Sequence, residues 1–254
     1  VRNPLSKLSL NIVSPYLSGC LDEFLDQNMV PLIETNRGCP FRCTFCAWGM
    51  ASHDIVSKLD INNSLQEIEY IAERSNAKNW IICDANFGIL KRDVEIAKAI
   101  KEVNNKYGRP KRCDIWLAKN VTERNLEIAE ILGDLIVPVM AIQSMNKNVL
   151  NNIKRDNVSS ETYFDYQKRY HDLGATTYSD MMVPLPEEKF KTHIDGLREL
   201  FSMGVDWIEN HNMRMLPGAE MNSKEQRKKY GMVTRYRLIH GDSGIYTTPD
   251  GKKI

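Results

Sequence analysis

The chain has no apolar run long enough to cross a bilayer, and no charged-then-apolar leader opens it. Neither a membrane span nor a secretory signal is therefore expected. It has no excess of one charge: 34 Lys and Arg stand against 33 Asp and Glu, a formal +1. That balance implies no global pull toward nucleic acid or an anionic surface. It has too few cysteines for a secreted disulfide framework, with six in 254 residues. Clustered cysteines in such a chain suit metal binding in a reducing compartment, so the cytoplasm is expected. What remains is ordinary globular material, 42% hydrophobic and 26% charged. It is enough for one large α/β domain or two small ones.

Most informative is what one loop lacks. Cys39, Cys43 and Cys46 stand in Gly38-Cys39-Pro40-Phe41-Arg42-Cys43-Thr44-Phe45-Cys46, with no fourth cysteine nearby. Thiolates suit zinc or iron–sulfur clusters. Structural zinc wants four ligands, and the nearby extra candidate is His53 alone. An electron-transfer module normally shows four cluster cysteines. Three thiolates can instead hold three corners of an iron–sulfur cube and leave the fourth iron to a small molecule. Cys20, Cys83 and Cys113 are scattered and single, and buried small hydrophobes are their ordinary reading.

Apolar runs alternate with helical patterns. Strands are expected at Val30–Thr35, Trp80–Asp84, Asp114–Ala118, Leu135–Gln143, Thr176–Val183 and Asp206–Met215. Pro138 weakens the fourth. A capping box at Ser64–Glu67 predicts a helix to about Ser75. Further helices are predicted from Asp93 to Tyr107 with Gly108 as the stop, after a Thr122 cap, over Glu161–Leu173 before Gly174, and up to Met203 before Gly204. Six strand–helix units indicate a parallel sheet covered by helices, either a barrel or an open doubly wound sheet. In a barrel, function gathers at the carboxyl ends of the strands. The cysteine loop follows the first strand directly. Residues 1–29 form a lead-in with a linker-like stretch from Asn3 to Gly19, 30–220 the core and 221–254 a carboxyl-terminal extension. The sequence opens on Val1 and closes on Asp250-Gly251-Lys252-Lys253-Ile254, and a piece of something longer is the expectation.

A C-x3-C-x2-C triplet after the first strand of a βα repeat resembles the radical S-adenosylmethionine (radical SAM) superfamily. The resemblance covers nearly the whole chain and implies an α/β fold, a partial (β/α)6 TIM-like barrel. It implies that Cys39, Cys43 and Cys46 ligate three irons of a [4Fe–4S] cluster and that S-adenosylmethionine chelates the fourth. Electron transfer from the cluster would then release a 5′-deoxyadenosyl radical. Phe45 matches the aromatic that packs near the adenine, with simple loop packing as the alternative.

The resemblance also marks positions round the rim. Asp84-Ala85-Asn86-Phe87-Gly88 stands where a Gly-Gly-Glu stretch often contacts the cofactor's amino group. Asp84 or Asn86 could accept instead, and a strand-ending Asx turn is the alternative. Gln143, Ser144 and Arg155 match polar residues that meet the ribose and the methionine carboxylate; an arginine fork suits a carboxylate. Asp180 matches an acidic position on the fifth strand. Pro184 and Glu187 replace two family glycines, which weighs against close backbone approach there. His211 could touch substrate or serve the strand. The basic stretch Lys224, Arg227, Lys228, Lys229, Arg235 and Arg237 reads as a solvated helix face, given the neutral total, with an RNA-binding patch as the alternative.

Ser14–Gly19 and Asp84–Gly88 look like the subgroup with a cobalamin-binding domain before the barrel. That implies cobalamin bound upstream of Val1, methyl transfer or another radical rearrangement on an unactivated carbon of a small-molecule substrate, and an electron donor such as flavodoxin or ferredoxin. A tRNA-modifying methylthiotransferase is the alternative enzyme; an iron–sulfur electron carrier or a zinc-stabilised binding module is the alternative outside enzymes.

Overall fold

The computed structural model describes residues 13–27, 29–49 and 55–235. His53, Arg237 and most of the Asn3–Gly19 stretch lie outside the described residues. A short helix α1 (Asp22–Leu25) leads to β1 (Leu32–Ile33). β2 (Asn36–Arg37) then leaves the sheet to pair antiparallel with β3 (Ser57–Lys58), Asn36 opposite Lys58. α2 (Ile61–Arg74), β4 (Asn79–Phe87), α3 (Asp93–Tyr107), β5 (Arg112–Leu117) and α4 (Glu123–Leu132) follow. After them come α5 (Lys147–Asn152), α6 (Ser160–Asp172), β6 (Tyr178–Val183), α7 (Phe190–Ser202), β7 (Trp207–Asn212) and α8 (Lys224–Lys229).

The staves run parallel. β4 lies between β1 and β5, with Leu32 opposite Ile81 and Ile81 opposite Asp114. β6 pairs with β7, Asp180 opposite Glu209. The expected strand at Leu135–Gln143 is not a regular strand. Its start is a 3-10 turn over Gly133–Leu135, and the rest touches β6 through bridges from Val139 to Tyr178 and Gln143 to Met181. Pro138 opens the pairing through its carbonyl, which accepts from Tyr178 N–H at 3.2 Å, and the ladder is broken at Gln143, φ +70°, where the Ile142 and Gln143 N–H groups both donate to the Asp180 carbonyl. The outcome is a mixed α/β partial barrel of six staves, the fourth irregular.

The first strand is shorter than its apolar run because Thr35 and Asn36 are turned aside. α2 begins three residues before the predicted capping box. Asp60 caps it by accepting from the Asn63 N–H at 3.0 Å, and Ser64 Oγ donates back to the Asp60 carbonyl at 3.0 Å. α3 ends as predicted, with Gly108 in the left-handed region at φ +70° that a side chain would resist. In the first turn of α4, Asn125 Oδ1 accepts from the N–H of the cap residue Thr122 at 3.1 Å and from the Thr122 hydroxyl at 2.8 Å. α5 and the β2–β3 hairpin had no signal strong enough to read.

The main core lies between staves and helices. Ile33, Trp80, Ile82 and Ile115 meet Ile68 and Ile71 of α2, Ile96 and Ile100 of α3, and Ile128 and Leu132 of α4. Burying each such aliphatic side chain contributes about 1.5–3 kcal/mol. A second cluster joins Val149, Leu150, Ile153, Met182, Leu185 and Met221, with Phe45 packed on it. That cluster supports the cysteine loop from below. Cys113 is buried as expected, Cys83 only half-buried, and Cys20 exposed. No helix among the described residues is long and apolar enough to cross a membrane.

Candidate active site

The cysteine loop is tied at both ends. At its start, the Asp84 carboxylate accepts from Thr35 N at 2.7 Å, Thr35 Oγ1 at 2.5 Å, Asn36 N at 3.1 Å and Asn36 Nδ2 at 2.6 Å. Arg92, just before α3, donates to the carbonyls of Thr35 and Leu59. At its far side, Thr44 N–H donates to the Ile153 carbonyl at 3.0 Å, and the Thr44 carbonyl accepts from Met221 N at 2.7 Å. The second apolar cluster therefore holds the loop through backbone as well as side chains. Burial pushes Asp84 up to about 6, outweighing the bonds from Thr35 and Asn36 that pull it down.

Between these ties, Cys39 and Cys43 are buried and Cys46 is half-buried. All three border one cavity of about 240 Å³ at the carboxyl rim of the staves. Phe45, Asn86, Gln143, Arg155 and Asp180 border it too. Two expected contacts stand elsewhere: Asp84 is given over to Thr35 and Asn36, and Ser144 is fully buried, donating to Glu188 Oε1 at 2.9 Å. Sequence reading missed Lys119, Phe41, Trp48 and Trp116, which complete the wall. Lys119 had a signal available, because it stands directly after the third predicted strand at the functional rim.

The cavity is cationic on the side of the thiols. Asn86 Nδ2 donates to Cys39 Sγ at 3.0 Å, and Lys119 Nζ lies against Cys43 Sγ. Arg155 interacts with Cys43 as well. Its guanidinium is fixed by Asn157 Oδ1, 2.7 Å from Nε, and by the Ala141 carbonyl. Burial lowers both Lys119 and Arg155 from their ordinary values, and Cys43 opposes that shift in each. Asp180 is raised by burial; His211, whose Nε2 lies 2.9 Å from Asp180 Oδ1, pulls it back. His211 thus serves Asp180, whatever else it meets. Glu187, at one of the replaced glycines, still takes φ +65°, so the backbone keeps a left-handed shape there without glycine. α8 has no buried residue, in keeping with a solvated basic face.

Among the described residues, no three His, Cys, Asp or Glu side chains converge closely enough to hold one metal ion. A four-iron cube asks for something else, since it takes each thiolate at a separate corner. Three thiols on one cavity wall, faced by an amide donor and two cations, fit such an anionic cluster.

A model of the Radical SAM superfamily matches residues 33–200. The 2-(S-pantetheinyl)-carbapenam-3-carboxylate methyltransferase of Streptantibioticus cattleyicolor is 36% identical over 231 residues, 87% of this chain and 34% of that protein. The cobalamin-dependent radical SAM methyltransferase TokK of Streptomyces tokunonensis is 34% identical over the same shares. The chain thus spans about a third of the length of these curated relatives. Among solved structures, the radical S-adenosylmethionine methyltransferase TsrM from Kitasatospora setae, with cobalamin and a [4Fe-4S] cluster bound, superposes with a TM-score of 0.62 at 14% identity. The match covers 78% of this chain and 37% of that one. Coproporphyrinogen III oxidase (HemN) from Escherichia coli gives 0.58 at 17% identity, over 83% and 50%.

Proposed function

The chain belongs to the radical SAM superfamily, and from that premise we propose that it is the catalytic core of a cobalamin-dependent methyltransferase acting on a small molecule. The observation that carries this reading is the single cavity joining Cys39, Cys43 and Cys46 to Arg155. Kinship with two methyltransferases, one cobalamin-dependent by name, supports the reaction class.

In this reading Cys39, Cys43 and Cys46 hold a [4Fe–4S] cluster. Arg155 receives the carboxylate of S-adenosylmethionine, and its two existing bonds keep the fork oriented before the cofactor arrives. Gln143 offers an amide to the cofactor's polar groups and Phe45 a face to its adenine, while Asn86 lines the same cavity with its amide turned to Cys39. Asp180 lies across the cavity with its carboxylate steadied by His211. The aromatic wall of Phe41, Phe45, Trp48 and Trp116 displaces water from the space where a radical would form. Bound, the cluster and S-adenosylmethionine supply reductive cleavage of a sulfonium, and cobalamin supplies a transferable methyl group. Cobalamin would be held by a part of the protein preceding Val1.

Residues 30–220 form the core in this reading and 221–254 an extension. A flavodoxin or ferredoxin would deliver the electron, and the reducing cytoplasm would suit the thiolates. Anaerobic reconstitution with iron and sulfide tests the reading. A four-iron cluster whose electron paramagnetic resonance spectrum shifts on adding S-adenosylmethionine is expected; stoichiometric zinc without a cluster would overturn it.

A further inference from the structure

Asn86 is held by two neighbours of opposite hydrogen-bonding character. Its Oδ1 accepts from the Lys119 backbone N–H at 3.3 Å, and its Nδ2 faces Cys39 Sγ at 3.0 Å. A backbone N–H can only be met by the amide oxygen, so the amide nitrogen is left pointing at the sulfur. The side chain of Lys119 then runs beside the other thiol. Its ammonium lies against Cys43 Sγ and 4.6 Å from the centre of the Phe41 ring. The aromatic face favours the charged ammonium at that spot. β5 fixes the start of this side chain, because Ala118 N–H donates to the Phe87 carbonyl at 2.7 Å. One strand end therefore orders two donors, one aimed at each of two thiols.

We propose that Asn86 and Lys119 act as positioning residues that raise the reduction potential of the cluster by donating to Cys39 and Cys43. This rests on the reading that the three thiols hold a four-iron cluster. Such a core with three thiolates carries about one net negative charge when oxidised, and reduction adds another. A cation and an amide dipole near the sulfurs stabilise the more negative form. Both donors are half-buried or buried, where the surrounding dielectric is low and such interactions count for more. The consequence is functional: a cluster poised higher accepts its electron from a milder donor and holds it until the sulfonium is in place.

The test is a redox titration of the reconstituted protein, without S-adenosylmethionine, followed by electron paramagnetic resonance. Lys119→Met and Asn86→Asp should both move the midpoint to more negative values. For Lys119→Met the reduced-to-oxidised ratio at a fixed applied potential should fall about tenfold, or about 59 mV for a one-electron couple. Lys119→Arg should stay near wild type. Asn86→Asp keeps an oxygen for the Lys119 N–H while placing an anion by Cys39. Lys119→Gln is the second variant if the methionine form takes up no iron. A normal wild-type cluster with unchanged variant midpoints overturns the inference alone. So does weakened S-adenosylmethionine binding without a midpoint change, which would make Lys119 a cofactor contact. Loss of iron uptake in both Lys119→Met and Lys119→Gln also overturns it, since the role would then be assembly. A wild-type protein that takes up no four-iron cluster overturns the functional reading itself.

Discussion

Thr35 donates both its backbone N–H and its hydroxyl to Asp84, at 2.7 and 2.5 Å. The bond pair ends the first stave and turns the chain toward Cys39. Asn36 adds two more donors to the same carboxylate. A residue that sequence alone offers as a cofactor contact is thus committed to shaping the cysteine loop.

Removing that carboxylate should be costly. Asp84→Ala would leave four donors without their acceptor in a fully buried place. At about 1–3 kcal/mol for each donor left unsatisfied, less what relaxation recovers, a loss of about 3 kcal/mol is expected. Urea denaturation of the cluster-free protein checks it. A loss under about 1 kcal/mol would show that the loop keeps its shape by other means.

Asp84 also makes a pH prediction. Its carboxyl is raised from 3.8 to about 6 by burial. An acid that binds its proton more tightly when folded stabilises the fold below its unfolded value. That contribution is lost as pH rises through the folded value. The stability of wild type relative to Asp84→Asn should therefore fall between about pH 4 and pH 6, by up to about 3 kcal/mol. Unfolding free energies of both proteins across that range measure it. A flat difference, or one that grows with pH, contradicts the assignment.

Arg155 gives a separable effect. Arg155→Gln keeps a polar side chain but loses the charge and the planar fork. S-adenosylmethionine affinity should drop at least about tenfold, about 1.4 kcal/mol, with iron content little changed. Binding titration with parallel iron analysis reads both. Equal affinity in wild type and variant would remove Arg155 from the cofactor site.

Thr44 ties the loop to the second apolar cluster through its backbone. Met221 fills that cluster and donates to the Thr44 carbonyl. Met221→Ala should open a cavity there, costing about 2–5 kcal/mol, and should weaken iron retention. Thermal denaturation and chelator-challenge rates test the pair. A destabilised protein that keeps its iron as wild type does would uncouple the two.

The parts of the fold most legible in the sequence were those with local punctuation. α3 with Gly108 and α4 behind Thr122 carry their own stop and start signals, and both stand where the sequence puts them. The Ser64 box misled because Asp60, four residues earlier, is an equally good cap. The fourth stave misled because its apolar run reads as a strand while the left-handed Gln143 breaks the ladder, with Ile142 and Gln143 donating to one carbonyl of β6. At the site, the cysteine spacing was legible because ligand spacing is local. Asp84 and Asn86 were not separable, since both are polar residues two apart on one strand. Which of them turns toward Thr35 and which toward Cys39 is decided by tertiary neighbours. For Lys119 the sequence marks only the place after the third predicted strand; what it faces depends on Asn86 and Phe41, neither close in sequence.

The central claim is that Cys39, Cys43 and Cys46 form a three-thiolate cluster site with one position open to S-adenosylmethionine. Its most direct measurement is electron paramagnetic resonance of the anaerobically reconstituted, reduced protein, with and without S-adenosylmethionine and alongside iron analysis. About four irons per chain are expected, with a signal that shifts when the cofactor is added, and loss of both in Cys43→Ala. A full cluster with a signal indifferent to S-adenosylmethionine, or one that persists in Cys43→Ala, would contradict it.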